Sequence, residues 1–539
     1  MNSPLHPSPA TSHPLPLSAR VRRLVVCWRQ PLVATAWAVT LFFVMVVVKR
    51  WLPLGVPGEG QWVWAYRQPN HPVAPWFTLA LPLLAFVVIV TIWAYLWEQS
   101  ERGRLRGMGR WAALLFFVGG AMALRLTVQS VNPPQTQGAS YIAWTIVSRV
   151  STTYFADALS IRSVPEFLRT FPERQRQSDW HGQTHPPGTV LFFYLVNRAV
   201  HESPGLAKVL TRLMGWGSGE ALSELRENVQ NHTGVRLNDD TDLVGAAAVG
   251  YLLPLVGSVG ILPLFLLTRR LFDERTAWAA VLLGLVVPSF NLFFPVVDQV
   301  YLVLAIAVVW LLADGLGRQG GDTRRLGNWE IAAAGAVLAS GLFMTFAFLA
   351  LLFLCVLWIG IASYRQRDVG LKWLVLFVVG LLLPLIMLYV LFGLNLLTVL
   401  NIALTAHGGV TERRWRGVWL VGNLIDFFVF IGLPIALLFM VSCWQHFRWQ
   451  GGGLRRANMN ANALLLSYLV TLLLLNVSGV VRGEVARIWM FLMPVPLVWA
   501  ARAAVADESR GGLQAGILCS AVWLQTFVLQ REVWFVRPW

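Results

Sequence analysis

Charged side chains are scarce in this chain of 539 residues, where Asp, Glu, Lys and Arg together make up 13%. Soluble domains carry about a quarter, so a soluble protein of ordinary composition is excluded. Hydrophobic residues account for 56% of the chain. Each membrane-spanning helix needs roughly 20 apolar residues, which leaves room for about thirteen spans. The composition predicts an all-α fold, a polytopic transmembrane helical bundle.

Cysteine is also scarce, and the four cysteines lie far apart, in or beside apolar runs. Their spacing excludes a disulfide framework and a cysteine-based metal site. Acidic residues are fewer than basic ones, 27 against 43, and the formal net charge is +16. Most arginines fall in short loops between apolar runs, where they set membrane topology and contact anionic lipid headgroups. We therefore expect membrane lipids, and no nucleic acid, as partners.

The apolar runs predict spans with one consistent sidedness. These runs cover residues 33–52, 76–96, 111–129, 246–268, 277–296, 299–315, 329–345, 347–363, 373–396, 417–442, 463–480, 488–505 and 513–530. Arginines before the first run place the amino terminus in the cytoplasm, and alternation then puts nearly every basic short loop on the same side. We expect a multi-pass protein of the bacterial plasma membrane.

Four segments follow from this topology. They are a disordered basic cytoplasmic tail at 1–32, extra amino-terminal spans at 33–130, an outer loop at 131–245 and the main bundle at 246–530. Residues 189–200 are apolar but too short for a span, and a crossing there would put the later arginines outside. We predict an interfacial or re-entrant helix at 189–200 and an amphipathic surface helix at 163–177.

Two outer loops break the charge rule. One carries Arg413 and Arg414, and the other carries Arg482, Glu484 and Arg487. Guanidinium groups bind phosphate oxygens in a bidentate fashion, so two clusters beside span ends indicate a bound anion. The alternatives are a headgroup contact or an ion pair between Glu484 and Arg487.

The outer region also contains acids and imidazoles, namely Asp157, Asp179, His181, His185 and Asp298. A carboxylate at a span end is costly, so each acid is a candidate functional residue. In place of a functional role, Asp157 could cap a helix or pair with an arginine. Asp298 could cap the end of a span. The four-residue spacing of the two histidines suits metal ligands on one helical face. The prolines after His185 disfavour a continuous helix, and an Asp–His pairing is preferred.

Three stretches resemble a known family. THPPGTVLFFYL begins at Thr184, LTRRLFDERTAWAAVLLGLVVPSFNLFFPVVDQVYLVLAIAVVWLL contains Asp298, and SGVVRGEVARIWMFLMPVPLVW contains Arg482 and Arg487. Their order and sidedness resemble the GT-C superfamily of polyprenyl-phosphate-sugar-dependent glycosyltransferases, the branch similar to protein mannosyltransferases and aminoarabinose transferases. The chain departs from the family pattern in having two extra early spans, His185 in place of a lysine, and no second acid beside Asp157.

The resemblance implies a GT-C-like bundle and an inverting glycosyltransferase, of the hexosyl or pentosyl type. Its donor is a sugar on polyprenyl phosphate, and its acceptor is a glycan, lipid or protein on the outer face. Asp157, with Asp179 or Asp298 as rival, takes the acceptor proton. Arg482 and Arg487, joined by Arg413 or Arg414, hold the leaving phosphate. His181 and His185, near Glu484, orient the acid, contact the phosphate, or complete a divalent-cation site with Asp157.

Other classes of protein use the same outer arginines. A transporter or flippase of lipid-linked sugars requires charges deep in its spans and two similar halves with broken helices, and neither is evident in the sequence. An O-antigen ligase- or polymerase-like protein takes its donor from a pyrophosphate carrier. A structural or signalling membrane protein needs no convergent acids. Cleavage of a lipid-linked sugar separates the glycosyltransferase from the transporter and from the structural protein.

Overall fold

The chain is described by a computed structural model covering residues 31–67, 76–217, 219–317, 324–364, 367–448, 459–507 and 509–536. The expected disordered tail lies outside these residues, apart from its last two positions. Almost all of the described structure is helical. The exceptions include a two-residue antiparallel ladder between β1 (Leu54–Gly55) and β2 (Val63–Trp64). The all-α class is confirmed.

The helices come in three groups. The first group is α1 (Pro31–Val48), α2 (Trp76–Glu101) and α3 (Met108–Val128). The second group, of mostly short helices, is α4 (Gly138–Val147), α5 (Tyr154–Ala158), α6 (Val164–Arg169), α7 (Phe171–Gln177), α8 (Trp180–Thr184), α9 (Gly188–Glu202), α10 (Pro204–Leu213) and α11 (Glu220–Thr233). Short 3₁₀ turns at Gln129–Val131 and Pro134–Thr136 join the two groups.

The third group forms the main bundle and begins with Asp239, whose side chain caps α12. It consists of α12 (Asp240–Val259), α13 (Ile261–Leu271), α14 (Glu274–Val286), α15 (Pro288–Leu292), α16 (Asp298–Gly317), α17 (Arg324–Met344), α18 (Phe348–Tyr364), α19 (Arg367–Phe392), α20 (Leu396–Thr411), α21 (Arg416–Ile431), α22 (Leu433–Arg448), α23 (Met459–Ser478), α24 (Val485–Ile488), α25 (Pro494–Ala504) and α26 (Gly511–Glu532). A 3₁₀ turn at Met490–Leu492 precedes α25.

Eight helical segments among the described residues are long and apolar enough to cross a membrane, and a bent pair makes up to nine. They are α1, α2, α3, α12 with α13, α16, α19, α23 and α26, and the bent pair is α21 with α22. The predicted number of about thirteen is higher because five of the predicted runs do not form one long straight helix. Run 277–296 breaks at Pro288, run 417–442 bends by 110° at Gly432, and run 488–505 holds a 3₁₀ turn followed by α25. Runs 329–345 and 347–363 fall on the shorter apolar helices Trp329–Met344 and Phe348–Tyr364.

Two helices of the bundle, α17 and α19, make close backbone contact at glycine residues. A Cβ atom added at Gly335 would lie 2.3 Å from the Phe377 carbonyl oxygen, and one added at Gly380 would lie 2.0 Å from that of Ala332. Helices α17 and α19 therefore pack closer than larger residues allow. Gly188, at the start of α9, meets the Phe343 carbonyl oxygen at 2.4 Å in the same way. The absence of a side chain at Gly188 therefore lets the start of α9 approach α17 closely.

The outer region packs against the bundle. Residues 189–200 lie in α9, a 15-residue helix whose buried face includes Val190 and Phe193. Residues 163–177 form two helices, α6 and α7, because Pro172 sits at the first turn of α7. Both stretches are helical as predicted and too short to span. Their depth relative to a membrane, and the four predicted segments, stay predictions.

Candidate functional site

A cavity of about 370 Å³ opens where the outer region meets the late loops of the bundle. Its polar end is formed by side chains from five separate stretches of the chain. These are Tyr154, His181, His185, Asp298, Tyr301, His407, Arg414, Arg482, Glu484 and Arg487. The structure thus brings Asp298, both histidines, three of the four predicted arginines and Glu484 to one cavity.

The rest of the cavity wall is mostly apolar, with a few threonine and serine side chains, and lies beside exposed helix faces. Leu400, Ala403 and Leu404 on α20 line it, together with Leu475 at the end of α23 and Leu349 on α18. The same helices carry exposed large apolar side chains, including Leu404 at 53% and Leu474 at 51% exposure. Such faces suit hydrocarbon, so the apolar part of the cavity adjoins a surface that lipid covers.

Arg487 is held between two carboxylates. Its Nη1 atom lies 3.7 Å from Asp298 Oδ2, and its Nη2 atom donates to Glu484 Oε2 at 3.2 Å. The Glu484–Arg487 ion pair considered from the sequence therefore exists. Arg487 also lines the cavity, so the pair and a ligand share one guanidinium group.

A second arginine reaches the same carboxylate. Arg414 Nη2 lies 3.3 Å from Glu484 Oε1, and Arg414 Nη1 donates to the Arg482 carbonyl oxygen. Glu484 adopts left-handed backbone geometry with a φ of 59° directly after Gly483. A non-glycine residue pays about 1 kcal/mol for this conformation, and such strain concentrates at functional sites. The turn aims Glu484 at both arginines.

Arg482 differs from its neighbours because no carboxylate among the described residues pairs with it. Its Nε donates to the Gly479 carbonyl oxygen at 2.9 Å. Its Nη1 donates to the carbonyl oxygens of Thr411 and Arg414 at 3.0 and 2.8 Å. Backbone oxygens thus fix the guanidinium plane without neutralising its charge. With both carboxylates ionised and the imidazoles neutral, the polar end holds three cations and two anions.

Residues 54–64, which form the β1–β2 hairpin, contact the loop that carries Arg413 and Arg414, here called the arginine loop. Gln61 Nε2 donates to the Arg413 carbonyl oxygen at 3.0 Å, and Gln61 Oε1 accepts from Trp419 Nε1 at 3.1 Å. The Arg414 guanidinium lies 5.5 Å from the ring centroid of Trp62. Trp64 Nε1 donates to Asp426 Oδ1 on α21 at 2.8 Å. Residues 54–64 therefore belong to the site, although nothing in the sequence linked them to it.

His181 and His185 lie at the cavity wall in neutral form. Burial, assisted by the positive charge of Arg487, lowers the pKa of His181 to about 3 and that of His185 to about 4. His185 Nδ1 lies 3.1 Å from the His181 carbonyl oxygen and 3.0 Å from Thr184 Oγ1. Helix α8 ends at Thr184 and His185 is extended, so the two imidazoles do not share one helical face.

Two tyrosines complete the polar end and were missed from the sequence. Tyr301 Oη lies 2.8 Å from Thr189 Oγ1, and the Tyr154 ring meets the His185 ring edge-on at 5.4 Å. Tyr154 precedes Asp157 by three residues and Tyr301 follows Asp298 by three. Residues three positions apart lie on the same face of a helix, so this spacing could have linked each tyrosine to the site of a predicted acid.

Asp157 lies outside the large cavity and lines a second one of about 220 Å³. Ser178 Oγ donates to Asp157 Oδ2 at 3.2 Å. Burial raises the pKa of the Asp157 carboxyl group, against the lowering effects of Ser178 and the Arg149 charge. The Asp157 carboxylate thus accepts a hydrogen bond from Ser178, where the sequence allowed a helix cap or a pairing with an arginine.

Asp179 and Arg413 line neither cavity. Asp179 pairs with Arg149 at 2.7 Å, and both side chains are about half exposed. Arg413 is exposed, and its Cβ atom approaches Gly60, between strands β1 and β2. The functional roles predicted for Asp179 and Arg413 stay predictions without a place in the cavity.

Asp157, His181 and His185 do not form a metal cluster among the described residues. The group whose ligand atoms all lie within 4.8 Å of one another is His201, Asp239 and Asp242. Asp242 Oδ1 already accepts hydrogen bonds from Asn197 and His201, and its Oδ2 accepts two from Asn238. That group joins α9 to α12, so no step of the chemistry is assigned to a metal.

Comparison with known proteins gives similarity in fold. No family model and no curated protein matches the chain. Solved structures similar to it, each at 14% identity, include the Archaeoglobus fulgidus oligosaccharyltransferase in complex with Zn and sulfate (TM-score 0.41, covering 74% of this chain and 53% of that one). Others are ArnT from Cupriavidus metallidurans in the apo state (0.39, 72% and 75%) and bound to undecaprenyl phosphate (0.34, 72% and 76%).

The chain spans about half the length of the oligosaccharyltransferase. At this identity the likeness describes the fold alone.

Proposed function

We propose that the protein is a membrane glycosyltransferase that moves a sugar from a polyprenyl-phosphate donor to an acceptor on the outer face. The observation that carries this proposal is the composition of the large cavity. Arg414, Arg482 and Arg487 stand at the polar end, and the rest of the wall is mostly apolar and adjoins exposed apolar helix faces. A ligand with an anionic head on a long hydrocarbon tail matches both parts.

The phosphate is assigned to Arg487 and Arg482. Arg487 lines the cavity and is already oriented by Asp298 and Glu484. It therefore needs little reorganisation when negative charge develops on the leaving phosphate. Arg482 keeps a charge that no carboxylate in the described structure neutralises. Together they offer planar donors that suit the oxygens of a phosphate group. Arg414 is committed to Glu484 and the Arg482 carbonyl, and it supports the other two.

The reaction is a single displacement at the anomeric carbon. An acceptor hydroxyl oxygen forms the new bond to this carbon as the bond from the carbon to the phosphate oxygen breaks. The bonding electrons leave with polyprenyl phosphate, where Arg482 and Arg487 stabilise the added negative charge. The acceptor proton passes to a carboxylate. Attack opposite the leaving group inverts the anomeric configuration.

Asp157 is the proposed base, and its place supports this choice. An in-line displacement needs the base on the side opposite the phosphate, whereas Asp298 lies on the phosphate side, 3.7 Å from Arg487. Asp157 sits on α5, one helical turn from the cavity residue Tyr154. A carboxyl group with a raised pKa is also a better proton acceptor. Asp298 is then the residue that orients Arg487.

The test uses the full-length protein in liposomes with radiolabelled sugars on decaprenyl phosphate or undecaprenyl phosphate. We expect release of free polyprenyl phosphate and labelled product. The Arg487→Ala variant should lose both, whereas Arg413→Ala, in an exposed residue of the same loop system, should keep both. Movement of intact lipid-linked sugar across the bilayer without bond cleavage would show a flippase instead. Activity with a pyrophosphate carrier alone would favour the ligase-like alternative.

A further inference from the structure

We infer that the second cavity, which Asp157 lines, binds the acceptor and that this acceptor is a carbohydrate. This inference rests on the proposed function, since an acceptor requires a glycosyl transfer. The cavity encloses about 220 Å³. Its walls come from the short outer helices α5 to α8 and the start of α9, and include Phe167, Phe171, Arg174, Gln175 and Ser178.

The two cavities lie back to back across two short helices. On α5, Tyr154 lines the large cavity and Asp157 the second one. On α8, His181 lines the large cavity and Gly182 the second one. A Cβ atom added at Gly182 would lie 3.1 Å from Asp157 Oδ2, so this position has no room for a side chain beside the carboxylate. The two cavities are therefore neighbours that share α5 and α8 as walls.

The second cavity contains a buried hydrogen-bond acceptor that has no donor. Gln175 is 1% exposed, and its Nε2 atom donates to the carbonyl oxygens of Gln183 and Val399 at 2.8 and 3.2 Å. Those two oxygens fix the orientation of the amide. The Gln175 Oε1 atom is left buried with no partner among the described residues. An unpaired buried polar atom costs about 1–3 kcal/mol, which a ligand hydroxyl removes.

The neighbouring Arg174 supplies Nη donors that no acceptor among the described residues meets, and its guanidinium carbon lies 5.8 Å from the Phe167 ring centroid. Arg174 Nε donates to Thr170 Oγ1 at 3.0 Å, and no carboxylate in the described part of the chain pairs with its guanidinium group. Arg149, the other arginine of this cavity, is instead paired with Asp179. Asp157 adds a carboxylate, so the cavity offers acceptors and donors in roughly equal number. Phe167 and Phe171 add aromatic rings whose centroids lie 5.4 Å apart.

A hydroxyl group is the ligand group that satisfies both needs, because it donates one hydrogen bond and accepts others. Adjacent hydroxyls on a sugar ring can meet Gln175 Oε1, the Arg174 guanidinium and Asp157 together, and the apolar ring faces can lie against the phenylalanines. A phosphorylated acceptor is disfavoured by Asp157. A peptide serine or a single lipid hydroxyl leaves most of these groups unpaired. Among glycan, lipid and protein acceptors, the cavity selects the glycan.

The test combines binding and turnover in lipid nanodiscs. Saturation-transfer NMR with methyl α-mannopyranoside, methyl α-arabinofuranoside and a mannose trisaccharide reports binding without any donor. At least one of these probes should give a signal in the wild type and in Arg487→Ala, and lose it in Arg174→Ala. Arg176→Ala removes an exposed arginine of the same helix α7 and should keep the signal. Turnover should show an acceptor KM raised about tenfold in Arg174→Ala.

The outcomes separate the two proposals. A glycan signal that depends on Arg174, in a protein that cleaves no polyprenyl-phosphate sugar, would sustain the sugar site and reject the glycosyltransferase. Donor cleavage together with unchanged glycan binding and acceptor KM in Arg174→Ala would overturn the acceptor site alone. Transfer to a serine or threonine peptide probe, insensitive to Arg174→Ala, would overturn it as well. Arg174→Lys keeps the positive charge but not the planar pair of N–H donors, so it should recover only part of the glycan affinity that Arg174→Ala loses.

Discussion

Arg487 Nη1 lies 3.7 Å from Asp298 Oδ2, which joins the short helix α24 to the amino-terminal end of α16. The second contact of Arg487, to Glu484, comes from its own loop. Two carboxylates therefore hold one guanidinium in place before any ligand arrives. A preorganised cation of this kind stabilises a leaving phosphate without moving in the reaction.

Replacing Arg487 tests this role directly. Arg487→Ala should lower kcat for transfer by about 10²–10³, the range seen when one preorganised group that stabilises transition-state charge is removed. Arg487→Lys should recover a fraction, because an ammonium keeps the charge but not the planar fork. Steady-state kinetics with a polyprenyl-phosphate sugar measures both. A loss no larger than that of Arg413→Ala would contradict the assignment.

The two acids are expected to respond differently to removal of charge. Asp157→Asn should lower kcat by about 10²–10⁴ with little change in donor KM, as expected for loss of a general base. Asp298→Asn should chiefly raise donor KM, because Arg487 loses one of the two carboxylates that orient it. Measured kcat and KM for each variant decide between them. The reverse pattern would make Asp298 the base.

The acid limb of the pH profile is expected to come from Asp157. Burial raises the pKa of its carboxyl group, so activity falls as pH decreases through that raised value. Burial holds the pKa values of His181 and His185 at about 3 and about 4, so both imidazoles are neutral above about pH 5. His185→Gln should therefore keep the position of the limb in a plot of log kcat against pH. A limb that disappears in His185→Gln would assign it to the imidazole.

The same histidines predict how stability depends on pH. Their folded pKa values lie below the unfolded value of about 6.5, so below pH 6.5 the unfolded chain binds protons that the folded chain does not. Stability is complete above that pH and falls as the pH drops towards 4. The Tm of the detergent-solubilised wild type should fall by several degrees between pH 7.5 and 5. A variant carrying both His181→Gln and His185→Gln should fall less, and an equal or larger fall would refute the linkage.

Gln61 is expected to act on the donor site from a distance. Gln61→Ala removes the hydrogen bonds to the Arg413 carbonyl, the Trp415 amide and the Trp419 indole. With the arginine loop less fixed, donor KM should rise about tenfold, equivalent to about 1.4 kcal/mol. Gln61→Glu keeps the two hydrogen bonds that the side-chain oxygen accepts, so donor KM should rise less in this variant than in Gln61→Ala. If donor KM is the same in Gln61→Ala and wild type, the hairpin does not position the loop.

The fold class could be predicted from composition, and several helices from their apolar runs. α16 and α23 coincide closely with predicted spans, because long uninterrupted apolar runs dictate a helix in lipid. The 110° bend at Gly432 was not predictable in the same way. Gly432 has a φ of 105°. A glycine within an apolar run does not by itself predict a bend, because glycine is common in straight spans as well.

The candidate site was predicted in part. Asp298, Arg482 and Arg487 could be selected because charge beside a span end is costly and needs a reason. Asp157 was also selected, but its separation from the large cavity depends on how α5 and α8 pack, which no local pattern specifies. Gln61 carries no charge and stands out only through its contacts, and the one sequence signal for Tyr154 was its three-residue spacing from Asp157.

The hairpin that contains Trp62 and Trp64 joins α1 to the chain before α2, far in sequence from the loop it supports. A chimera that keeps residues 131–536 and replaces everything earlier would therefore lose contacts to Asp426, Trp419 and the Arg413 carbonyl. Substitutions in the two regions should compensate for one another, so that homologues exchange them together or not at all. The segment between the first two helices is then part of the arginine site as well as a connection between spans.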